Sequence, residues 1–211
     1  MGVIKRGVLG GFSGKVANIV GSSWKGIAVM KSLPLSVANP KTAAQVAQRS
    51  AFSNTVEVAK TLLVSYVKPL WDRFAQQMSG YNAFIQANIA NFDASGIVDR
   101  TLFILGEGSL TPLDFTITSA NDGTTAVAIS WTDNSGTGSA LATDESYLAV
   151  HNVTQDTWTI TNVPAARSAE AAFGATPTDQ EIGDVLDFYL CFRRADGTLV
   201  SNTTYQTTTV V

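Results

Sequence analysis

Residues 185–195 read VLDFYLCFRRA, an apolar run with a clear alternation of side chains. Successive side chains of a β-strand point to opposite faces, so the run separates into two sets. One face would carry Phe188, Leu190 and Phe192, and the other Tyr189, Cys191 and Arg193. Cys191 is the only cysteine, and within an apolar strand we expect it to be a buried structural thiol. The stretch therefore indicates a β-domain towards the end of the chain.

Similar runs precede and follow this strand at regular spacing. They read DFTITSA, TAVAISWTD, SYLAVHNV, DTWTITNV and LVSNTTYQTTTVV, and turn-forming residues separate them, as in Asn121-Asp122-Gly123, Asp133-Asn134-Ser135-Gly136 and Ala195-Asp196-Gly197. Six or seven short strands in about 100 residues are typical of an immunoglobulin- or fibronectin-like β-sandwich. The fibronectin variety fits better, because a single cysteine cannot form the disulfide of an antibody domain.

The glycine-rich stretch GVLGGFSGKVANIVGSSWKG, residues 7–26, predicts a β-arm. KVANIV (residues 15–20) and WKGIAVMK (residues 24–31) are rich in β-forming residues, and Gly21-Ser22-Ser23 between them could form a hairpin connection. In the second run we expect Trp24, Ala28 and Met30 on one face and Lys25, Ile27, Val29 and Lys31 on the other.

Helix signals follow the arm. Asn39 is a suitable N-cap and Pro40 a suitable first helical residue. An apolar stripe continues the helix with steps of three and four residues, through Phe52, Val56, Ala59, Leu63, Tyr66 and Leu70. Pro69 should end this helix near Val67 or Lys68 and begin a second one. A break at Ser79-Gly80 precedes a third short helix in YNAFIQANIANF.

These elements predict an α+β protein in three parts. Residues 1–95 form a basic β-arm and helical assembly region, residues 96–112 a linker, and residues 113–211 an acidic β-sandwich domain. The charged side chains are divided between the two halves of the chain as well. Residues 1–92 hold ten basic and two acidic side chains, a net charge of +8, whereas residues 93–211 hold four basic and fifteen acidic ones, a net charge of −11. Such asymmetry suggests separate roles or attraction between copies.

We expect no enzymatic activity and no cofactor. Gly14-Lys15 resembles the end of a phosphate-binding loop, but that motif needs glycine where Leu9 stands and Ser or Thr where Val16 stands. His151 is the only histidine, and no Gly-x-Ser-x-Gly motif supplies a nucleophile for it. We interpret His151 as a structural histidine of a strand.

Acidic side chains offer one further alternative. Oxygen donors are grouped at Asp133, Asn134, Asp144 and Glu145, and they could hold calcium. The run lacks the alternating donors of an EF-hand loop, so a turn is favoured and we expect no metal site. Asp179, Glu181, Asp184 and Asp187 are expected to form a solvated acidic rim.

The basic N-terminal half carries the candidate partner contacts, which are Lys5, Arg6, Lys15, Trp24, Lys25, Lys31 and Arg49. Such an arm could contact the acidic half of a neighbouring subunit, which we favour. It could also bind nucleic acid, with lysines on phosphates and Trp24 stacked on a base. A third alternative is an adhesive or carbohydrate-binding sandwich, which predicts exposed aromatic side chains such as Tyr147 or Trp158.

No targeting or membrane segment is visible. Lys5 and Arg6 precede a stretch that is too short and too rich in glycine for a secretory signal peptide. No apolar run approaches the roughly 18 residues that a membrane-spanning helix needs.

The N-terminal motifs resemble an uncharacterised family of bacterial and phage-borne proteins. In that family a glycine-rich segment with a Gly-Lys pair, a later glycine and Trp-Lys-Gly precedes an Asn-Pro-x-Thr-x-x-Gln-x-x-x-Arg helix and a C-terminal β-domain. The matching residues here are Gly14, Lys15, Gly21, Trp24, Lys25, Gly26, Asn39, Pro40, Thr42, Gln45 and Arg49.

The resemblance implies a component of a phage particle. We therefore expect a non-enzymatic structural subunit of a phage virion or phage-like assembly, assembled in the host cytoplasm. Its N-terminal half would dock on neighbouring subunits and other virion proteins in a homo-oligomer, and its sandwich would be displayed.

Overall fold

The computed structural model describes residues 3–4, 11–37, 39–119, 127–160, 164–169 and 180–211. The chain forms two compact units, Met1–Thr42 and Ala43–Val211, which we call the N-terminal unit and the C-terminal unit. This division falls earlier in the chain than the linker expected at residues 96–112. The turn expected at Asn121-Asp122-Gly123 lies outside the described residues, as do Lys5, Arg6 and Asp179.

The N-terminal unit is an antiparallel sheet whose four strands follow one another in chain order. The strands are β1 (Val3–Ile4), β2 (Phe12–Val16), β3 (Ile19–Trp24) and β4 (Ile27–Ser32). The prediction of a β-arm is correct, but the turns differ. Gly21-Ser22-Ser23 lies inside β3, and the chain reverses at Ala17-Asn18 and at Lys25-Gly26.

Two-residue turns explain the difference. Lys25 and Gly26 both have positive φ angles, +47° and +82°, as a type I′ hairpin turn requires. This turn pairs Trp24 with Ile27, and residues paired directly across two strands share a face. Trp24 therefore lies with Ile27 and not with Ala28 and Met30, so its expected place is wrong. The expected separation of Ile27, Val29 and Lys31 from Ala28 and Met30 is correct.

The C-terminal unit begins with the helices. They are α1 (Ala43–Thr61), a π-helical turn at Leu63–Val67, α2 (Lys68–Trp71) and α3 (Gly80–Asn88), and a 3-10 turn follows at Ile89–Asn91. The first helix starts three residues after Pro40, so the expected N-cap at Asn39 is wrong. Pro69 is the second residue of α2, which directly follows the π-helical turn, and proline is tolerated at the first positions of a helix. Ser79 caps α3 by accepting a hydrogen bond from the backbone N–H of Asn82, as the predicted break suggested.

Three of the six positions of the predicted stripe are buried, namely Ala59, Tyr66 and Leu70, and the other three are each displaced by one residue. The fully buried positions are Ala51, Thr55 and Ala59, and Phe52 remains half exposed, at 50%. Thr55 can be buried because its hydroxyl donates to the carbonyl oxygen of Ala51. The stripe continues with Leu62 and Tyr66 through the π-helical turn.

In the part of the chain that the structure describes, the remaining strands form three antiparallel sheets. Their bounds are β5 (Phe92–Asp93), β6 (Gly96–Ile97), β7 (Phe115–Ser119), β8 (Val127–Trp131), β9 (Glu145–Asn152), β10 (Thr157–Ile160), β11 (Val185–Arg193) and β12 (Thr204–Thr209). The largest sheet has the order β10-β9-β11-β12, and the pairs β5-β6 and β7-β8 are separate. Short 3-10 turns lie at Arg100–Leu102 and Arg167–Ala169.

Both faces of the largest sheet are covered. One face packs with β7 and β8 in a core that joins Phe115, Ile129 and Trp131 to Phe188 and other β11 residues. The other face packs with the helices in a second core, to which Tyr66, Leu70, Phe84, Ala149, Tyr189 and Cys191 belong. The α+β class is confirmed. An immunoglobulin-like sandwich is not confirmed, because helices cover the sheet face that such a sandwich leaves to solvent.

The segment predicted as a linker is part of the second core. Phe103 and Leu105 are buried in it, and the indole N–H of Trp71 donates to the carbonyl oxygen of Leu105 at 2.9 Å. The side chain of Asn88 bonds both the N–H and the carbonyl oxygen of Ile104. These contacts join the helices to the β-strands, so residues 96–112 do not separate two domains.

Candidate functional site

The N-terminal sheet places its lysines on one face. Lys15 pairs with Val20, and Val20 pairs with Lys31, which aligns the three side chains in a row across β2, β3 and β4. Trp24 and Ile27 form the next apolar pair on this face near the turn. We call Lys15, Val20, Trp24, Ile27, Val29 and Lys31 the lysine face.

The aromatic end of the lysine face is open to solvent. Trp24 is 63% exposed and Ile27 61% exposed. Lys25, in the turn, holds its Nζ 5.0 Å from the centroid of the Trp24 ring. A cation at this distance is attracted by the ring quadrupole. The tip of this hairpin therefore presents one indole, one branched aliphatic side chain and one positive charge.

The opposite face has no charged side chain among the described strands β2 to β4. Its members alternate with those of the lysine face, and they include Phe12, Val16, Ile19, Ala28 and Met30. We call this the uncharged face. Met30 is 66% exposed, and Val16 and Ile19 are each more than 40% exposed. Both faces of the sheet thus present apolar surface.

Gly21 shows why the arm is rich in glycine. It is the only residue classed as buried among residues 11–37. A Cβ at Gly21 would meet the carbonyl oxygen and the ring of Phe12, which packs over it. Only glycine allows this close approach of β2 and β3.

The structure brings together four of the seven predicted contact residues. Lys15, Trp24 and Lys31 lie on the lysine face, and Lys25 lies at its end. Lys5 and Arg6 lie outside the described residues. Arg49 is an exposed residue of α1 in the C-terminal unit.

A cleft of about 520 Å³ lies within the C-terminal unit. Its walls are α1, the β5-β6 hairpin and the turn between β9 and β10. Part of the lining is apolar, namely Val58, Phe92, Ile97, Val153 and Trp158. Polar and charged side chains line much of the rest, among them Asn54, Glu57, Thr61, Ser95, Arg100, His151 and Asp156. The sequence did not indicate this cleft, because its walls come from three separate segments of the chain that only the tertiary fold joins.

His151 lies in the wall of this cleft. Its Nε2 is 3.1 Å from Oδ1 of Asp156, and its ring stacks on Trp158 with centroids 4.5 Å apart. The residue is 7% exposed, and its Nδ1 has no hydrogen-bond partner among the described residues. The stacking and the burial agree with a histidine that supports a strand.

A buried carboxylate lies beside His151. Asp187 pairs with His151 across β11 and β9, and it is fully buried. Nη1 of Arg100 lies 3.3 Å from one of its oxygens, and the hydroxyl of Tyr205 donates to the other at 2.9 Å. Burial raises the pKa of Tyr205, and its hydrogen bond to Asp187 raises it further. Asp187 is therefore neutralised by Arg100 and does not belong to a solvated rim, which corrects that expectation.

Cys191 is buried in the helix-facing core. Burial raises the pKa of its thiol, so the thiol stays protonated at neutral pH. A protonated, buried thiol fits the structural role expected from the sequence.

The oxygen donors considered for calcium have other partners. Asp144 is buried and bonds Nε of Arg167 at 3.2 Å, while Asn134 accepts from Nη1 of the same arginine at 2.6 Å. Oδ1 of Asp133 accepts from the N–H of Ser135. Arg167 thus occupies the place of a cation in this loop, which contradicts the calcium alternative. In the described part of the chain, no three His, Cys, Asp or Glu side chains are grouped as metal ligands.

Among the described residues, no helix combines the length and the apolar character that crossing a membrane requires. Comparison with curated proteins and with solved structures finds no match. A protein family described as "Family of unknown function (DUF6266)" matches residues 11–207. Because this match spans most of its 211 residues, the chain belongs to the DUF6266 family.

Proposed function

We propose that the protein is a non-enzymatic structural subunit of a homo-oligomeric assembly, and that its N-terminal sheet docks on neighbouring subunits. The assembly would be a phage virion or a phage-like particle, as the sequence resemblance implies. The C-terminal unit would be the displayed part.

One observation carries this proposal. The N-terminal sheet exposes apolar side chains on both faces, and none of its described residues belongs to either hydrophobic core. Burial of apolar surface is the main favourable term in folding and association. Contiguous apolar surface on a soluble protein marks an interaction site. A sheet of this kind gains stability when a partner covers it.

The size of one sheet face sets a condition on the partner. Three strands of about six residues span roughly 14 by 20 Å, or about 300 Å². A stable protein interface buries about 800 Å² on each partner. One sheet face is smaller than the area that each partner of a stable interface buries. Docking must therefore cover further surface besides this face.

Removal of the sheet tests the proposal. Residues 1–42 are deleted, and the mass of the full chain and of the shortened chain is measured by light scattering over a range of concentrations. We expect an oligomer for the full chain and a folded monomer for the shortened one, with circular dichroism as the folding control. A shortened chain that keeps the oligomeric state would contradict the proposal.

A nucleic-acid-binding module is the second candidate, and the composition of the lysine face favours it. Lys15 and Lys31 lie on the same face as the exposed ring of Trp24, and Lys25 holds its Nζ 5.0 Å from that ring. Lysines on a face that also carries an exposed aromatic ring suit a single strand. This candidate predicts that Trp24 fluorescence changes on addition of single-stranded DNA or RNA. Affinity should fall steeply between about 50 and 200 mM salt. An unchanged signal at low salt would remove the candidate.

The carbohydrate-binding alternative has less support. Tyr147 is half-buried and packs edge-on against Tyr66, with ring centroids 6.4 Å apart. Trp158 is half-buried and stacks on His151. Neither residue is an exposed aromatic platform, so the expectation that motivated this alternative is wrong.

A further inference from the structure

We infer that the tip of the β3-β4 hairpin of one copy inserts into the cleft of the C-terminal unit of a second copy. The tip consists of Trp24, Lys25, Gly26 and Ile27, and we refer to the cleft beside Glu57 and His151 as the α1 cleft. The inference rests on the proposed function and names the two surfaces that meet.

The tip has the form of an inserting element. Trp24 and Ile27 face each other across the turn, and each exposes more than 60% of its surface. The type I′ turn holds both side chains at the end of a hairpin, so they can enter a cleft together. The indole N–H of Trp24 has no acceptor among the described residues, so it can donate to an acceptor of a partner in place of water. Tryptophan, with tyrosine and arginine, is enriched among the residues that dominate binding energy at interfaces.

The α1 cleft has a matching size and lining. Its volume of about 520 Å³ lies within the range of about 300 to 1,000 Å³ that holds a bound group of drug-like size. Val58, Phe92 and Ile97 offer an apolar wall for the indole and the aliphatic side chain. Insertion into a cleft would also bury more of the tip than contact through one sheet face, which meets the area condition stated above.

The charges of the two surfaces are opposite. Arg100 in the cleft is neutralised by the buried Asp187, and His151 contacts Asp156. Glu57 is exposed and has no ion pair among the described residues. Lys25 likewise has no described carboxylate partner, and its ammonium group rests on the Trp24 ring. Glu57 and Lys25 are thus each available to the other, whereas a nucleic acid would be repelled by Glu57 and Asp156.

The contact would join two different surfaces of the same chain. Such a heterologous contact leaves one free tip and one free cleft on every dimer, so it generates rings or filaments. A second copy as the occupant therefore explains how one kind of contact could build an extended assembly.

Complementation of two full-length variants tests the inference. Trp24→Ala removes the tip and keeps the cleft, and Glu57→Lys changes the cleft and keeps the tip. Leu35→Ala, a fully exposed apolar residue outside the sheet, and Asp114→Lys, an exposed acid outside the cleft, are the matched controls. Masses are measured by light scattering and analytical ultracentrifugation, for each variant alone and for an equimolar mixture.

We expect the wild type and both controls to form the same oligomer. Each tip or cleft variant alone should associate at least tenfold more weakly, and the mixture should stop at a 1:1 dimer. The dimer forms because one variant supplies an intact tip and the other an intact cleft. The double variant Lys25→Glu/Glu57→Lys should recover association relative to Glu57→Lys.

Three results would overturn the inference, and they separate it from the proposed function. If Trp24→Ala keeps the wild-type oligomer, the tip is not the contact, although the proposed assembly role stands. If both variants are monomeric and their mixture is also monomeric, the tip and the cleft do not meet. If the wild type is monomeric at every concentration, both proposals fail.

Discussion

Arg167 joins several segments on the β7-β8 side of the C-terminal unit. Its guanidinium is fully buried and bonds Asp144, Asn134 and the carbonyl oxygen of Thr111. Its Cζ also lies 4.2 Å from the centroid of the Phe192 ring. The sequence showed oxygen donors in this loop, for which calcium was an alternative to the favoured turn. It could not show that an arginine more than 20 residues later supplies the positive charge.

Replacement of Arg167 tests this role. Arg167→Met replaces the guanidinium by an apolar side chain of similar length. The carboxylate of Asp144 then stays buried without the positive charge of Arg167. Removal of one partner of a buried ion pair costs about 3–5 kcal/mol. We expect a loss of this size in the free energy of unfolding, measured with urea. Lys41→Met, at an exposed lysine, is the control and should change stability by less than about 0.5 kcal/mol.

Asp184 should give the protein an acid-sensitive contact. Its carboxylate accepts from the N–H of Glu181 at 2.9 Å and from the side chain of Asn152 at 2.7 Å. These bonds favour the charged form and lower the pKa of Asp184 below its ordinary value of 3.8. Because the pKa of Asp184 is lower in the folded state than in the unfolded state, the charged carboxylate stabilises the fold when the pH is above the unfolded-state pKa. That stabilisation is lost as the pH falls from about 4 through the lower folded pKa.

Unfolding of Asp184→Asn as a function of pH is the measurement. The variant should be less stable than the wild type at pH 7, and the difference should shrink as the pH falls below about 4. Asp114→Asn, at an exposed position, serves as the control. Parallel curves for the wild type and Asp184→Asn across this pH range would show that Asp184 does not carry the effect.

At the scale of single elements, the start of α3 depends on a close approach. A Cβ on Gly80 would lie 2.6 Å from the backbone nitrogen of Asp72 and 2.8 Å from the carbonyl carbon of Trp71. Both contacts are to backbone, which cannot rotate away. Gly80 also donates its own N–H to Oδ1 of Asp72 at 3.1 Å. Glycine therefore permits the packing of α2 against α3.

Two neighbouring substitutions separate close packing from helix capping. Gly80→Ala should lower the free energy of unfolding by about 1–3 kcal/mol, because the added methyl group overpacks the site. Ser79→Ala removes only the cap and should cost about 1 kcal/mol. Chemical denaturation of both variants and of the wild type measures the two losses. If Gly80→Ala left the free energy of unfolding unchanged, the close approach of α2 and α3 at this point would not contribute to stability.

Elements with strong local signals could be predicted from the sequence, and elements with weak ones could not. The strand at Val185–Arg193 follows from the alternation of its side chains, and the third helix follows from the break at Ser79-Gly80 before it. The hairpin turns were misplaced, because Gly21-Ser22-Ser23 has stronger turn composition than Ala17-Asn18. The Lys25-Gly26 turn could have been found, since glycine second in a two-residue loop is a type I′ signal.

At the scale of the whole molecule, composition could not show that helices and strands share a core. The change in charge near residue 92 suggested a boundary there. The helix-facing core instead joins Leu62 and Phe84 to Ala149, Tyr189 and Val200. The alternation in residues 185–195 placed Tyr189 and Cys191 on a second face. It could not say that α1 and α3, more than 100 residues earlier, cover that face.

Two fragments should therefore behave in opposite ways. Residues 43–211 contain both hydrophobic cores and should unfold in one cooperative transition near the temperature of the full chain. Residues 113–211, the sandwich predicted from the sequence, lack the helices and would expose one whole face of the largest sheet, including Ala149, Tyr189 and Cys191. Exposure of that much apolar surface should leave this fragment aggregated or without a cooperative transition. Calorimetry and circular dichroism of both fragments provide the comparison. A cooperative, monomeric fragment 113–211 would show that the strands fold independently and that the helices are only an attachment to them.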